Sequence, residues 1–284
     1  MNKKELLKKS TSILYLVLVF LFLYLPIILV VVYSFSNNSN FTFSKGFTLD
    51  GYREIFAPAN REDLFRALKN TFVLAIVSSI ASTILGSIAA VGIHQFKPKT
   101  RMVVDGVNQM PVINSETVMA VSFMLFFMTL KFPQGWTRLI LGHITFCTPY
   151  VVLSVLPRLA SMDNQTYEAA LDLGASPIKA LFKVVLPYIL PGIISGFAMA
   201  FTISIDDFII TQFNKGSSGI DTLSTYLYSS LKGQDGMKTY WFPVSSIIIL
   251  LVITVVLIVN VRKSIVEAKK TNKSNQVQKK VDVI

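Results

Sequence analysis

Residues 164–187 read NQTYEAALDLGASPIKALFKVVLP. The first half of this stretch has the pattern of a short helix. Asn164 is a favourable amino-terminal cap, and Glu168 follows in the early turns, where a helix favours negative charge. Gly174 suits the left-handed conformation that commonly ends a helix. We therefore predict a short helix that ends just before Gly174.

The second half of the stretch predicts another helix. Ser176 followed by Pro177 is a cap and first-position pair, because proline is tolerated where the first amide has no helical partner. Pro187 marks the transition into the next apolar run. Three apolar residues on this second helix are available for burial: Leu181, Val184 and Val185. The whole stretch is thus predicted to be a helix–turn–helix unit.

Long apolar runs lie on both sides of this unit. A helix needs roughly 20 mainly apolar residues to cross the hydrocarbon core of a bilayer. Six runs qualify: residues 13–34, 71–93, 112–130, 139–156, 188–211 and 243–261. The chain is 52% hydrophobic and 15% charged, whereas soluble domains carry about 25% charged residues. The fold class that we predict is an all-α integral membrane protein with six transmembrane helices.

The basic residues indicate the orientation of these helices. Of the 27 Lys and Arg residues, 17 lie on the side that holds both termini and residues 164–187. The remaining 10 lie in the alternate loops. Because basic loops stay inside, both termini are predicted to be cytoplasmic in a bacterial plasma membrane protein. The first run is too long for a secretory signal and is expected to be a retained helix.

The predicted organisation follows from the runs and their flanks. Residues 1–12 form a cytoplasmic amino terminus, 13–34 the first transmembrane helix and 35–70 an external segment. Residues 71–262 form the transmembrane core, which includes residues 164–187. Residues 263–284 form a cytoplasmic tail that is rich in Lys, Asn and Gln, and its composition predicts disorder.

The helix–turn–helix unit resembles the signature of binding-protein-dependent ABC importer permeases. The matching residues are Glu168, Ala169, Ala170, Gly174, Val184 (where Ile is usual), Leu186 and Pro187. In that family the segment forms coupling helices that bind in a cleft of the ATPase subunit. The resemblance implies a MetI-like ABC permease fold, with five core helices preceded by one peripheral helix. We call residues 164–187 the coupling segment; the alternative is an ordinary amphipathic surface helix.

No phosphate-binding loop of the form G-x-x-x-x-G-K-[ST] occurs in the sequence. ATP and Mg are therefore expected to be used by a partner ATPase, with no cofactor bound by this chain. The sequence also shows no catalytic triad, so the predicted role is transport rather than catalysis.

Three carboxylates lie within apolar runs: Glu116 in the third, and Asp206 and Asp207 in the fifth. A carboxylate inside a membrane span costs a few kcal/mol on insertion scales and often marks a substrate pathway. Neither run contains Lys or Arg, so these groups would attract a cation. Adjacent helical residues point about 100° apart, so we expect Asp206, rather than both aspartates, to face a central cavity. The alternative is that all three are solvated at helix ends.

Further stretches extend the resemblance. Residues 143–149, HITFCTP, and 201–208, FTISIDDF, are similar to the PotC-type permeases of spermidine/putrescine importers. This resemblance implies that Glu116 and Asp206 line a polyamine route. The implied partners are a second, PotB-type permease, a dimer of PotA-type ATPase subunits and an extracytoplasmic PotD-type polyamine-binding protein. Membrane lipid is expected as a partner, and nucleic acid is not.

Two alternatives remain at this level. The permease could carry another solute, such as a metal ion, sulfate or a phosphonate, or the chain could be an ion-coupled secondary transporter. His143 and Cys147 lie four residues apart, on one helix face, and could form a metal pair. Without a further ligand nearby, packing or interhelical hydrogen bonding is the favoured interpretation, and no metal site is predicted.

Overall fold

The computed structural model describes residues 3–36, 46–232 and 238–254, together with residues 257 and 261. Within these residues the secondary structure is helical and contains no strand. The helices are α1 (Lys3–Tyr33), α2 (Asp50–Ile55), α3 (Pro58–Gln95), α4 (Pro98–Ile113), α5 (Glu116–Thr129), α6 (Trp136–Ala160), α7 (Asn164–Asp172), α8 (Pro177–Ala180), α9 (Leu186–Asp206), α10 (Ile209–Asn214), α11 (Leu223–Lys232) and α12 (Trp241–Thr254). A π-helical turn, Leu181–Val185, joins α8 to α9.

Four stretches of helix are long and apolar enough to cross a membrane: Ser12–Tyr33, Arg61–Gln95, Trp136–Ala160 and Pro177–Asp206. They contain most of the first, second, fourth and fifth predicted spans. Helices α4 and α5 together form a broken span at the third. The shorter apolar helix α12 lies in the sixth, whose predicted end lies beyond the continuously described residues. The all-helical, multi-span fold class is confirmed.

Two predicted spans differ from the structure in shape. The third is not one straight helix: the chain bends by 102° between α4 and α5. Asn114 and Ser115 adopt extended backbone conformations there, with ψ angles of 152° and 133°. The fifth span ends at Asp206 instead of continuing as one helix, because Asp207 is also extended, with ψ 129°. In both places short polar residues that favour caps over helix interiors interrupt the apolar run.

The chain divides into two compact units, of which the larger comprises residues 62–229. Helix α6 contributes most of its apolar core and packs against α9 and α3. The buried core residues are Ala90 and Ile93 of α3, Cys147, Val151, Val152, Val155, Leu156 and Leu159 of α6, Val185 of the π turn, and Ile189 and Ala200 of α9. Burial of this set fixes α6 between its neighbours.

Two glycines allow α6 and α9 to approach closely. A Cβ at Gly192 would lie 3.0 Å from the Ser154 carbonyl oxygen, and one at Gly196 would lie 3.0 Å from Cγ1 of Val151. Gly192 and Gly196 are four residues apart, so they share one face of α9. This small-xxx-small spacing is the common means of close packing between membrane helices, where van der Waals contact replaces the hydrophobic effect.

The other unit comprises residues 1–61 and 230–284. In it the end of α1 meets α2 and the start of α12. The hydroxyls of Ser34 and Tyr52 lie 2.8 Å apart, and the rings of Tyr33 and Phe242 are 6.1 Å apart. The membrane-length stretch of α1, Ser12–Tyr33, buries none of its most apolar part against other residues of the chain.

The predicted external segment and tail are described only in part. Residues 37–45 and the predicted disordered tail, 263–284, lie outside the described residues. Helix α3 begins at Pro58, well before the predicted start of the second span at residue 71. Part of the predicted external segment is therefore a helical extension of that span.

We expect Gly192→Ala to lower the stability of the purified protein by about 1–3 kcal/mol, because the added methyl group would overlap backbone atoms of α6. Gly92→Ala is the matched control, since no atom lies within 4 Å of a Cβ at that helical position. It should be neutral or slightly stabilising. Thermal unfolding in detergent measures both, and equal midpoints would contradict close packing at Gly192.

Candidate functional site

The three predicted pathway carboxylates line one cavity of about 350 Å³. It lies where α5 begins, beside the middle of α6, and where α9 ends. We call it the carboxylate cavity; its lining residues are Glu116, Phe146, Tyr150, Thr202, Ile203, Asp206, Asp207, Phe208 and Ile209. None of these nine described residues is Lys, Arg or His. The cavity therefore has an acidic lining with no fixed positive charge on its walls.

Asp206 and Asp207 occupy different environments in this cavity. Asp206 is exposed, whereas Asp207 is only 5% exposed. Both residues border the cavity, because α9 ends at Asp206 and the 100° helical step does not apply beyond it, but their carboxylates differ in exposure as expected. Asp206 presents its carboxylate to the open part of the site, while that of Asp207 has protein partners.

The carboxylate of Asp207 caps α10. Its Oδ1 accepts a hydrogen bond of 3.0 Å from the Ile210 amide, and its Oδ2 accepts one of 2.8 Å from the Thr211 amide. The Thr211 hydroxyl donates a third bond, of 2.7 Å, to Oδ2. The two amide donors lie at the start of a helix, where amides lack a helical partner. A helix start also favours negative charge. The break after α9 is thus stabilised by a buried, hydrogen-bonded carboxylate.

His143 of α6 contacts both sides of this break. Its Nδ1 lies 2.7 Å from Oγ of Ser204 on α9, and its Nε2 lies 3.1 Å from Oγ1 of Thr211 on α10. The same Nε2 is 3.3 Å from Oδ2 of Asp207. The favoured interpretation of His143, interhelical hydrogen bonding, is confirmed.

Cys147 also contacts α9. Its thiol donates a weak hydrogen bond, 3.6 Å long, to the Ala200 carbonyl oxygen. Within the described residues no group of three or more His, Cys, Asp or Glu side chains is placed to hold a metal ion. Both residues instead join α6 to α9.

Aromatic side chains of α6 contribute to the lining of the cavity. The rings of Phe146 and Tyr150 are 5.8 Å apart in an edge-on arrangement. They are four residues apart and therefore share a face of α6. Sequence reasoning missed Tyr150. The signal that could have indicated it is its position directly after the stretch 143–149 and four residues after Phe146.

The coupling segment has the predicted two-helix form, with one correction at its start. Asp163, not Asn164, caps α7: its Oδ1 accepts a 2.9 Å hydrogen bond from the Gln165 amide. Asn164 is instead the first helical residue. The side chains of Asp and Asn are both good caps, so composition alone did not distinguish the two neighbouring positions.

Gly174 ends α7 as predicted, with φ +81°. The Gly174 amide bonds to the Leu171 carbonyl, and the Ala175 amide bonds to the Ala170 carbonyl. This pair of bonds is a Schellman motif, which satisfies carbonyls left free at a helix end. No atom lies within 4 Å of a Cβ at Gly174, so backbone conformation alone favours glycine there.

The second helix also begins as predicted. The Ser176 hydroxyl accepts a 3.4 Å hydrogen bond from the Lys179 amide, and Pro177 takes the first helical position. The helix then passes through the π turn, in which the Leu186 amide bonds to the Leu181 carbonyl. Pro187 lies just after this turn, near the start of α9. The coupling segment therefore continues into α9 without a break in helical structure.

A second cavity, of about 390 Å³, lies behind the coupling segment. We call it the coupling cavity; it is lined by the ends of α3 and α6 and by both helices of the segment, including Glu168. On the segment itself three large apolar side chains are exposed: Leu173 at 89%, Ile178 at 70% and Phe182 at 61%. Ile178 and Phe182 are four residues apart and share a helix face.

The remaining signature residues surround the turn and the start of α9. Ala169 is exposed and Ala170 is half-buried in α7. Val184 and Leu186 are half-buried, and Leu186 packs against the core of α6 and α9.

The structure is thus a multi-span helical protein with an acidic cavity at a broken helix and a capped helix pair that exposes apolar side chains. The chain belongs to the family of binding-protein-dependent transport system inner membrane components, whose family model matches residues 82–271. It is therefore a permease subunit of such a system and not an enzyme.

Known relatives agree with this assignment. The chain is 34% identical over 188 residues to the spermidine/putrescine transport system permease protein PotC of Haemophilus influenzae, covering 66% of this chain and 72% of the relative. It is 36% identical over 182 residues to the putrescine transport system permease protein PotI of Escherichia coli, covering 61% and 64%.

Solved structures share the fold at low sequence identity. A bacterial ABC transporter that imports the acidic polysaccharide alginate has a chain that matches with a TM-score of 0.71 at 14% identity, covering 93% of this chain and 98% of that one. The MetNI methionine ABC transporter has a chain that matches with a TM-score of 0.56 at 20% identity, covering 75% and 98%. The MetI-like fold is thus confirmed.

We expect Asp207→Ala to lower the stability of the protein by about 1–3 kcal/mol, because α10 loses its cap and buried donors lose their acceptor. Asp206→Ala is the matched control. Because the Asp206 carboxylate is exposed, its removal should change the stability by no more than about 0.5 kcal/mol. Thermal unfolding of the purified variants measures the difference. A larger loss for Asp206→Ala would contradict the division of roles between the two aspartates.

Proposed function

We propose that this chain is the permease subunit of an ATP-driven importer of polyamines such as spermidine and putrescine. The observation that carries the proposal is the carboxylate cavity. Three carboxylates line it and no described basic residue does, so it attracts organic cations and disfavours anions. The names of the relatives PotC and PotI support the same substrate class.

The cavity wall suits an organic cation better than a bare metal ion. Phe146 and Tyr150 supply aromatic surface beside Asp206 and Glu116. An alkyl ammonium binds both to carboxylates and to aromatic faces, and the methylene groups of a polyamine add apolar contact. A divalent metal ion would need several converging oxygen ligands, whereas the carboxylate of Asp207 is already engaged by amides and a hydroxyl.

The coupling segment supports energy input from a separate ATPase. Leu173, Ile178 and Phe182 are exposed apolar side chains on a short, capped helix pair. Exposed apolar clusters of this kind indicate a protein interface. We propose that Glu168, Ala169 and Ala170 lie in the contact with the ATPase, and that Gly174 permits the sharp turn between the two helices. ATP and Mg are used by that partner.

A continuous helical connection supports the proposed transmission of movement. Pro177–Asp206 is one helical run of 30 residues, about 45 Å long at 1.5 Å per residue. Its first residues belong to the coupling segment, and its last residue is Asp206. In the proposed cycle, closure of the ATPase dimer moves the coupling segment as a rigid body, and α9 carries this displacement to the carboxylate cavity. The cavity then opens alternately to the two sides of the membrane.

The proposed assembly contains a second, PotB-type permease, a PotA-type ATPase dimer and an extracytoplasmic PotD-type binding protein. The basic residues support an orientation in which both termini and the coupling segment face the cytoplasm of a bacterial cell. This orientation brings the coupling segment to the side where ATP is available.

Other solutes are distinguished by direct uptake. The shared fold also occurs in importers of alginate and methionine, so fold alone does not determine the solute. The complex should be reconstituted in vesicles with its ATPase and binding protein, and supplied with labelled spermidine, putrescine, sulfate or a divalent metal ion. ATP-dependent uptake of a polyamine supports the proposal. Uptake only of sulfate or metal, or uptake independent of ATP, contradicts it.

We expect Asp206→Asn to lower the initial rate of polyamine uptake by about tenfold, because the route loses a carboxylate that attracts the cation. A charge pair 4 Å apart contributes about 4 kcal/mol at an effective dielectric of about 20, and desolvation offsets part of this energy. Glu116→Gln should act in the same direction. Asp63→Asn removes an exposed carboxylate outside the cavity and is the control. Rates are normalised to assembled complex, and an unchanged rate for Asp206→Asn would remove that residue from the route.

We expect Gly174→Val to abolish ATP-driven uptake while membrane insertion stays normal, because a β-branched residue is strained at φ +81°. Gly174→Asn should retain much of the uptake, since asparagine tolerates this conformation. Gly219→Val is a matched control, with φ +68° and no neighbour within 4 Å, outside the coupling segment. Normal coupled uptake in Gly174→Val would contradict the coupling role.

A further inference from the structure

The acidic cavity depends on a break in the chain whose geometry must be held. Asp206 is the last residue of α9, and α10 begins three residues later at Ile209. The position of the Asp206 carboxylate depends on how the end of α9 is held. The lining residues that follow it, 207–209, depend also on α10, because two backbone dihedrals per residue separate the two helices. A side chain that joins the two helix ends therefore affects where Asp206 lies relative to the rest of the cavity.

His143 joins these two helix ends. Its Nδ1 contacts Ser204, two residues before Asp206 on α9, and its Nε2 contacts Thr211 on α10. All three side chains are at most 3% exposed. His143 makes both contacts from α6, the helix that contributes most of the core of the larger unit.

One arrangement of hydrogens satisfies the whole buried network. Ser204 donates to Nδ1 of a neutral imidazole, whose Nε2–H donates to Oγ1 of Thr211. The Thr211 hydroxyl in turn donates to Oδ2 of Asp207. Each proton then has an acceptor, and each group is placed by the next, which is the condition under which a buried polar network makes a structure rigid.

Packing beside His143 adds to this constraint. A Cβ at Gly142, the preceding residue, would lie 3.3 Å from Cγ2 of Ile210, so α10 sits directly against α6. On the other side of α10, the Asn214 amide donates a 3.3 Å hydrogen bond to the Ala120 carbonyl of α5. Helix α10 is therefore held between α5 and α6.

We propose that His143 is a positioning residue for the substrate route: by bridging α9 and α10 it holds the Asp206 carboxylate in line with the cavity. This inference rests on the proposed function, in which Asp206 contacts the passing cation. His143 itself is not among the residues that line the cavity and does not touch the substrate. It acts through the two helix ends.

The structure allows each half of the bridge to be removed separately. The amide of asparagine reaches about as far as Nδ1, and that of glutamine about as far as Nε2. His143→Asn can keep the contact with Ser204 and lose that with Thr211, whereas His143→Gln does the reverse. Because positioning needs both contacts, each variant should lower the initial rate of polyamine uptake by about tenfold per assembled complex, as expected for loss of a buried hydrogen bond. Ser204→Ala, a milder change, should act in the same direction.

A double-mutant cycle distinguishes positioning from general structural support. If His143 acts through Asp206, then adding His143→Gln or Ser204→Ala to Asp206→Asn should change uptake by less than about twofold. Thr71→Val is the structural control: it removes a 2.8 Å bond from the Leu223 amide, remote in sequence from the break. Its effect should be the same fold-change with or without Asp206→Asn.

The outcomes separate the two proposals. If Asp206→Asn lowers uptake and the His143 and Ser204 variants lower it by the same factor in both backgrounds, the positioning role is overturned while the proposed function stands. If Asp206→Asn leaves uptake unchanged, the route through the carboxylate cavity is wrong and the positioning role falls with it. Smaller effects of His143→Gln and Ser204→Ala in the Asp206→Asn background than alone support the inference.

Discussion

Helices α6 and α9 lie so close at Gly192 and Gly196 that added side chains would meet the backbone or Val151 of the facing helix. Helix α6 of this pair lines both the coupling cavity and the carboxylate cavity. Helix α6 contributes Phe146 to one cavity and Leu159 to the other, 13 residues apart, or about 20 Å along the helix. A close, van der Waals-packed helix pair transmits displacement because it has no soft contacts to absorb it. In the proposed cycle this pair relates the coupling segment to the acidic cavity.

The break after Asp206 places two adjacent carboxylates in different environments, one buried and one exposed. Burying a carboxylate without a partner is costly. Each of two adjacent aspartates within an apolar run therefore needs either hydrogen-bond donors or exposure to solvent. Asp207 receives three hydrogen bonds from α10 and lies beside His143. Asp206 remains exposed at the cavity. One carboxylate thus forms the local structure that leaves its neighbour exposed at the cavity.

Much of the coupling segment was predictable because its signals are local. The conformation of Gly174 and the cap at Ser176 each depend on residues within one helical turn. Local chemistry also explains the one error there, since Asp163 and Asn164 are equivalent caps by residue type. The apolar runs likewise predicted the spans, because the bilayer sets a length that a sequence either meets or does not. The bends at Asn114 and Asp207 were missed because apolar content does not report backbone conformation.

The sequence by itself determined that the chain spans a membrane several times, that a helix pair interrupts the spans between the fourth and fifth, and that Glu116, Asp206 and Asp207 are unusual there. Only the tertiary structure decided that these three carboxylates share one cavity with Phe146 and Tyr150. It also decided that His143 joins α9 to α10, across more than 60 positions of sequence. The physical reason is that helix periodicity specifies which residues share a face, whereas the meeting of faces from different helices depends on packing between them.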